Sequence, residues 1–351
     1  MPLMSSSADK PSSVTVPPSV TVDGVLEFAD PRLEASVQAV LEQTETLLRD
    51  SVASADPLVT EAAQHLVVAG GKRFRPLLTA VGGHFGDPTE PLLRPAAAVV
   101  ELTHLATLYH DDVMDEAAVR RGAPSANVRW SNSLAILIGD YLFARAADLA
   151  AELGPEAVRV QARTLGRLVQ GQIAETAGPR DGDPVAHYLQ VIVDKTGSLI
   201  ATSARFGGMF SGAGPEVTEA LAAFGETIGV AFQLSDDLLD IASDSAESGK
   251  TPGTDLREGV PTLPVLYALQ GGDADAASVR LREILADGAI TDDTLLAEAL
   301  GLFRDSSALK RARETVRWYA ERARSELGPL PDVPARRALA SVCDTIVNRT
   351  G

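Results

Sequence analysis

The sequence predicts an all-α protein of one domain, with its helices in layers. Three observations carry that expectation. Apolar residues recur at helical spacing in segment after segment, Gly and Pro clusters separate the segments, and no convincing run alternates apolar and polar residues as a half-buried strand would. The 351 residues, 45% of them hydrophobic, are enough to bury a large core. Many of the segments are apolar on more than one face. That implies layers around a central helical pair rather than a simple four-helix bundle.

Residues 1–22 are rich in Ser, Pro and Val and lack an apolar core after a basic start. They read as a disordered tail, not a targeting peptide, and the domain is expected over 23–351. The first helix is expected over 32–50, where Leu33, Val37, Leu41 and Leu48 repeat at helical spacing, and the second over 58–68. Gly70, Gly71, Lys72, Arg73 and Arg75 then form a basic loop before Pro76. Further helices are expected at 75–85, 93–115, 132–153, 156–177, 184–210, 216–243, 261–269, 275–287, 293–304, 306–327 and 333–349, with breaks at Gly-Pro or Gly-rich turns. Lys195, Thr196 and Gly197 interrupt the 184–210 segment near its middle. Gly inside a helix costs about 1 kcal/mol relative to Ala, so a local distortion is expected there. Its freed carbonyls would stabilise a cation; alternatively it is an ordinary kink with Lys195 reaching to solvent.

The chain holds 31 basic and 48 acidic residues, a net charge of −17. This argues against nucleic acid or an anionic membrane as the main partner. No apolar run is long enough for stable membrane insertion. The single Cys343 allows no intrachain disulfide and no Cys cluster for zinc, which fits a cytoplasmic protein.

Asp111, Asp112 and Asp115 end an apolar helix, and Asp236, Asp237 and Asp240 end another. In each motif the outer carboxylates sit at i and i+4 and leave one face. Carboxylates at a helix C-terminus meet the negative end of the macrodipole, so a cation should compensate. Asp292 and Asp293 supply a contrast: they lack a third Asp, precede an apolar run and read as an N-cap. The duplicated motif reads as two facing clamps for one diphosphate, with Mg²⁺ as the bridge, because this ion takes one or two carboxylates plus phosphate oxygens. The basic loop suits a phosphate at a helix start, although a solvated basic turn has the same composition. His104 lies two helical turns before Asp111 on the same face. Arg120 and Arg121 take phosphate groups, neutralise the carboxylates, or do both. Glu175 and Gln233 are further polar positions on apolar helices, and residues 249–257 form a loop able to close as a lid.

Taken together, these motifs resemble the trans-isoprenyl diphosphate synthase (polyprenyl synthetase) family, over about residues 60–265 and more loosely beyond. The resemblance implies an isoprenoid synthase fold with a deep central cavity and a homodimer. It also implies Mg²⁺-dependent condensation of isopentenyl diphosphate with an allylic diphosphate. Carried over residue by residue, Asp111, Asp115, Asp236 and Asp240 resemble the metal ligands, with Asp112 and Asp237 in support. Lys72, Arg75, His104 and Arg121 resemble the isopentenyl diphosphate site. Arg120, Lys195 and Lys250 resemble contacts to the allylic diphosphate, and Thr196 and Gln233 the groups beside the nascent carbocation. Glu175 stands where the family carries an acid near the metals. Lys195, Thr196, Gln233 and Arg120 are therefore the catalytic candidates. One departure is Val260, where many relatives have a second Lys.

In the family, the positions four and five before the first Asp form the floor for the growing chain. Here they are Thr107 and Ala106, both small, which implies a long product, hexaprenyl to decaprenyl, of the kind found in quinone side chains. The alternative is that Ala106 only packs against a neighbour while another helix, for example at Phe143, sets the floor. Competing functions are a short-chain geranylgeranyl or farnesyl synthase and a non-catalytic subunit of a heteromeric synthase. A terpene cyclase is disfavoured by the intact second Asp motif.

Overall fold

The computed structural model describes residues 26–242 and 252–349. The tail at 1–22 and Lys250 lie outside the described residues. The architecture is all-helical: α1 (Pro31–Ser51), α2 (Pro57–Val68), α3 (Phe74–Gly83), α4 (Leu93–Met114), α5 (Ala126–Arg129), α6 (Asn132–Glu152), α7 (Pro155–Ala177), α8 (Pro184–Ile192), α9 (Ser198–Phe210), α10 (Pro215–Ala242), α11 (Thr254–Glu258), α12 (Leu263–Gln270), α13 (Ala276–Leu285), α14 (Asp293–Arg304), α15 (Ser307–Glu326) and α16 (Pro334–Arg349). The helix termini follow local chemistry. Asp30, Asp56, Asp183 and Asp275 cap α1, α2, α8 and α13. Asp292 caps α14 by accepting from the Thr294 and Leu295 amides, both at 2.8 Å, as its sequence context implied.

Three small elements depart from the expected pattern. A two-stranded antiparallel hairpin pairs β1 (Val119–Arg120) with β2 (Ala123–Pro124), too short to leave an alternating signature. α5 and α11 are single turns that no 3.6-residue repeat can reveal. The expected 184–210 helix is real but is broken by a π turn at Val193–Gly197.

Among the described residues two hydrophobic cores form, and α9 serves both. Its Ile200 and Ala204 face the core built from α3, α10, α15 and α16, while Leu199 and Phe206 face the core built from α2, α4 and α6. Both helices that carry Asp motifs pack on α9, so α9 forms a wall between them rather than leaving a simple central pair. Glycines make the layers thin. A Cβ at Gly207 would fall 2.5 Å from the Thr79 carbonyl of α3, and one at Gly225 would fall 2.8 Å from the Ile200 carbonyl. α9 is thereby held against α3 on one side and α10 on the other.

Candidate active site

α4 delivers the first acidic cluster. Its last turn carries Asp111 and Asp112, and Asp115 caps it, the Asp115 amide donating to the Asp111 carbonyl at 2.8 Å. Asp112 turns inward and is fully buried. It accepts from Arg120 Nε at 2.6 Å, which pins the β1–β2 hairpin to the helix end. Asp111 and Asp115 face outward. Burial, opposed by Lys195 and reinforced by Asp115, pushes the Asp111 carboxyl up to about 6. Burial also raises Asp115.

α10 delivers the second cluster. Asp236 accepts from Arg349 Nη2 at 2.8 Å. Asp237 is buried and accepts from Gln233 Nε2 at 3.0 Å and from the Tyr188 hydroxyl. Burial first, then the charges of Asp255, Asp240 and Glu175, push its carboxyl well above the usual range. Asp240 accepts from the Thr254 and Asp255 amides at 3.2 and 3.0 Å, so it also anchors the start of α11. Val260 lies just beyond that turn and is 38% exposed.

The π turn stands between the two clusters. Lys195 Nζ lies 2.5 Å from Glu175 Oε2 of α7, and the charge of Glu175 reaches Asp111, Asp115 and Asp237. One ion pair thus couples electrostatically to both motifs. The turn is seated by small residues and a salt-bridge clamp. A Cβ at Gly171 would come within 2.6 Å of the Lys195 amide, and Arg167 pairs with Asp194 at 2.9 Å and Glu226 at 2.6 Å. Thr196 Oγ1 donates to Gln233 Oε1 at 3.4 Å, continuing the chain of polar groups to Asp237.

The basic loop leads into α3. Arg121, on the hairpin turn, donates to the Gly70 and Leu66 carbonyls and lies over Gly71. Arg75 Nε is buried with no hydrogen-bond partner among the described residues. Burial, offset in part by Glu101, lowers the Arg75 pKa to about 10. Burial, then the charges of Arg75, Arg121, Arg73 and Arg120, keep His104 well below its usual value and therefore neutral at pH 7. Arg73 differs from its loop neighbours: it points inward, to Glu45 and Glu101.

Lys72 Nζ lies 5.8 Å from the centroid of the Phe232 ring, and the Arg349 guanidinium lies 5.5 Å from the same centroid. Phe232 itself stacks on Phe74 of α3 at 5.0 Å. The basic loop and the second Asp motif therefore meet around one aromatic ring. Arg349 and Tyr188 had no local signal; Arg349 is 113 residues from its partner in sequence.

On α4, Thr107 Oγ1 donates to the His104 carbonyl at 2.8 Å, one turn below Asp111, while Ala106 is fully buried. A Cβ at Gly139 of α6 would come within 3.1 Å of the Ala106 carbonyl. Phe143 packs edge-on against His110, at 5.6 Å between ring centroids.

The donor set suits a hard divalent cation. It is all carboxylate oxygen, and burial pushes the Asp111 carboxyl up, a cost that a bound cation would offset. Among the described residues no three His, Cys, Asp or Glu side chains converge into a ready-made metal cage. Mg²⁺ does not require one, since waters and substrate phosphates complete its shell.

The family model for polyprenyl synthetase matches residues 56–301. The chain belongs to the polyprenyl synthetase family. This polyprenyl synthetase is 51% identical over 336 residues to the nonaprenyl diphosphate synthase of Mycobacterium tuberculosis, covering 95% of this chain and 99% of that one. Its fold is similar to a geranylgeranyl pyrophosphate synthase from Corynebacterium glutamicum, crystallised with calcium and isoprenyl diphosphate. The TM-score is 0.83 at 46% identity, with 93% of this chain and 99% of that chain covered. A decaprenyl diphosphate synthase from Rhodobacter capsulatus matches with a TM-score of 0.81 at 34% identity, covering 92% of this chain and 99% of that chain. This polyprenyl synthetase is a prenyltransferase of isoprenoid biosynthesis.

Proposed function

We propose that this enzyme condenses isopentenyl diphosphate with an allylic diphosphate, farnesyl or geranylgeranyl, to give a long-chain all-trans polyprenyl diphosphate. The observation that carries the site assignment is the ion pair of Lys195, which acts on the first Asp motif, with Glu175, whose charge acts on both. The long-chain reading is supported by the small residues Thr107 and Ala106 below Asp111 and by the likeness to the nonaprenyl synthase. Asp111, Asp115, Asp236 and Asp240 would hold Mg²⁺, which when bound supplies Lewis-acid neutralisation of the departing diphosphate. Lys195, Arg120 and Lys250 stabilise the allylic diphosphate as its C–O bond ionises. Thr196 and Gln233 turn oxygen dipoles toward the carbocation. Lys72, Arg75, His104 and Arg121 hold isopentenyl diphosphate so that its double bond attacks, and a proton then leaves to the released diphosphate.

The protein acts as a cytoplasmic homodimer in this reading. Among the described residues no helix is long and apolar enough to cross a membrane. Exposed Ile136 and Leu137 on α6, with Val169 and Ile173 on α7, offer an apolar face to a second copy. The test is to incubate the purified chain with Mg²⁺, labelled isopentenyl diphosphate and each allylic starter, and size the dephosphorylated products. Hexaprenyl to decaprenyl products are expected. Geranylgeranyl as the end product would favour the short-chain alternative, and no turnover without a second protein would favour the subunit reading.

A further inference from the structure

We propose that Glu101, acting through Arg73, is a positioning residue for the isopentenyl diphosphate site; the proposal rests on the reading of that site given above. Arg73 lies inside the basic loop yet has no donor left for a ligand. Its Nε donates to Glu45 Oε1, its Nη2 to Glu45 Oε2 at 3.3 Å and the Val67 carbonyl at 2.8 Å, and its Nη1 to Glu101 Oε1 at 2.8 Å and the Gly70 carbonyl at 3.5 Å. A guanidinium carries five N–H groups, so this one is fully committed within the protein. The side chains of Arg73 and Glu101 are 3% and 2% exposed, which rules out solvent as a partner for either.

The anchoring has a purpose in the backbone. Arg73 adopts φ 46° and ψ 35°, the left-handed region, and caps α3 with no side-chain bond to that helix. For a residue with a Cβ this conformation is unfavourable, so its side chain must hold it. Gly70 is the shared point. Its carbonyl accepts from both Arg73 and Arg121, which joins the loop that bears Lys72 to the hairpin that bears Arg121. The charge of Glu101 also offsets the burial of Arg75 and Arg121. In the same setting Arg75 Nε has no hydrogen-bond partner among the described residues. Glu101 and Glu45 therefore tie down one arginine so that the neighbouring cations stay charged, close together and open to an anion despite their mutual repulsion.

Two effects of Glu101→Gln oppose each other, and the test separates them. Loss of a negative charge alone would tighten anion binding. Loss of the Arg73 tether would misplace Lys72, Arg121 and Arg75. We expect KM for isopentenyl diphosphate to rise about tenfold or more, while KM for the allylic diphosphate stays within about twofold. Arg73→Met should act in the same way, and the double variant should be no worse than the worse single variant, because Glu101 works through Arg73. Glu45→Gln, at a less buried position, gives a milder change of the same kind if Glu101→Gln fails to fold. Inorganic pyrophosphate binding without metal, followed by calorimetry, reads the same site without turnover and should weaken in parallel. If wild type fails to turn over these diphosphates, the functional reading falls, while pyrophosphate binding still decides the positioning role. An unchanged or lower KM for isopentenyl diphosphate with unchanged pyrophosphate binding overturns the proposal. So do equal losses for both substrates, or additive effects of Glu101→Gln and Arg73→Met.

Discussion

Lys195 of the π turn reaches Glu175 of α7 at 2.5 Å; the lysine's charge acts on the first Asp motif and the glutamate's on carboxylates of both. An ordinary α-helical turn would place residue 195 differently. The π turn, seated against Gly171, is what sends this lysine toward the acidic clusters. Lys195→Ala should lower kcat by about 10²-fold or more, as expected for a cation that stabilises the leaving diphosphate. Steady-state rates against the allylic substrate check this. A change confined to KM would mean that the lysine contributes only ground-state binding.

Arg349 occupies Asp236 in the structure, and a metal ion must displace it to use that carboxylate fully. Arg349→Gln should therefore reduce the Mg²⁺ concentration for half-maximal activity by about three- to tenfold. Mg²⁺ titration of the variant measures it. A higher Mg²⁺ requirement would show that the arginine assists the metal site rather than competing with it.

His104 is held well below its usual pKa by burial and four arginines. The folded pKa lies under the unfolded one, so this residue's stabilising contribution is present above about pH 6.5 and is lost as pH falls below it. The His104 ring-proton NMR signal should stay flat between about pH 8 and 6. Adding inorganic pyrophosphate, which brings negative charge beside the ring, should move the titration upward. A normal titration in the free protein would contradict the arginine cluster around it.

Thr107 lies one helical turn below Asp111 and is half-buried, whereas Ala106 is fully buried, with its backbone carbonyl against Gly139 of α6. Thr107→Phe should shorten the product to farnesyl or geranylgeranyl length by blocking the path. Ala106→Tyr should also shorten it, with a stability loss of about 1–3 kcal/mol from overpacking. Chromatography of dephosphorylated products reads both. Unchanged lengths would move the floor to another helix, such as that of Phe143.

Much of this molecule was legible in its sequence because its determinants are local. The helix spans follow from apolar spacing and Gly-Pro breaks, and the Asp292 cap from a two-residue context. Gly197 foretold a distortion, and the π turn is that distortion. What escaped was set by tertiary contact. Asp112 looks like its neighbours in sequence, yet it is buried and paired with Arg120. Arg73 looks like one more cation in a basic loop, yet it is a strut between Glu45 and Glu101. The Arg349–Asp236 pair brings the last described helix to the second Asp motif, and nothing near either residue announces it.

At the centre of the proposed function, two acidic helix ends grip one diphosphate through divalent metal. A crystal structure of the enzyme with Mn²⁺ and a non-ionisable thiolo analogue of the allylic diphosphate tests it most directly, because anomalous scattering locates the metal. Mn²⁺ is expected on Asp111 and Asp115 and on Asp236, all bridged by the same diphosphate. Metal at one motif only, or two motifs bound to separate anions, would contradict it.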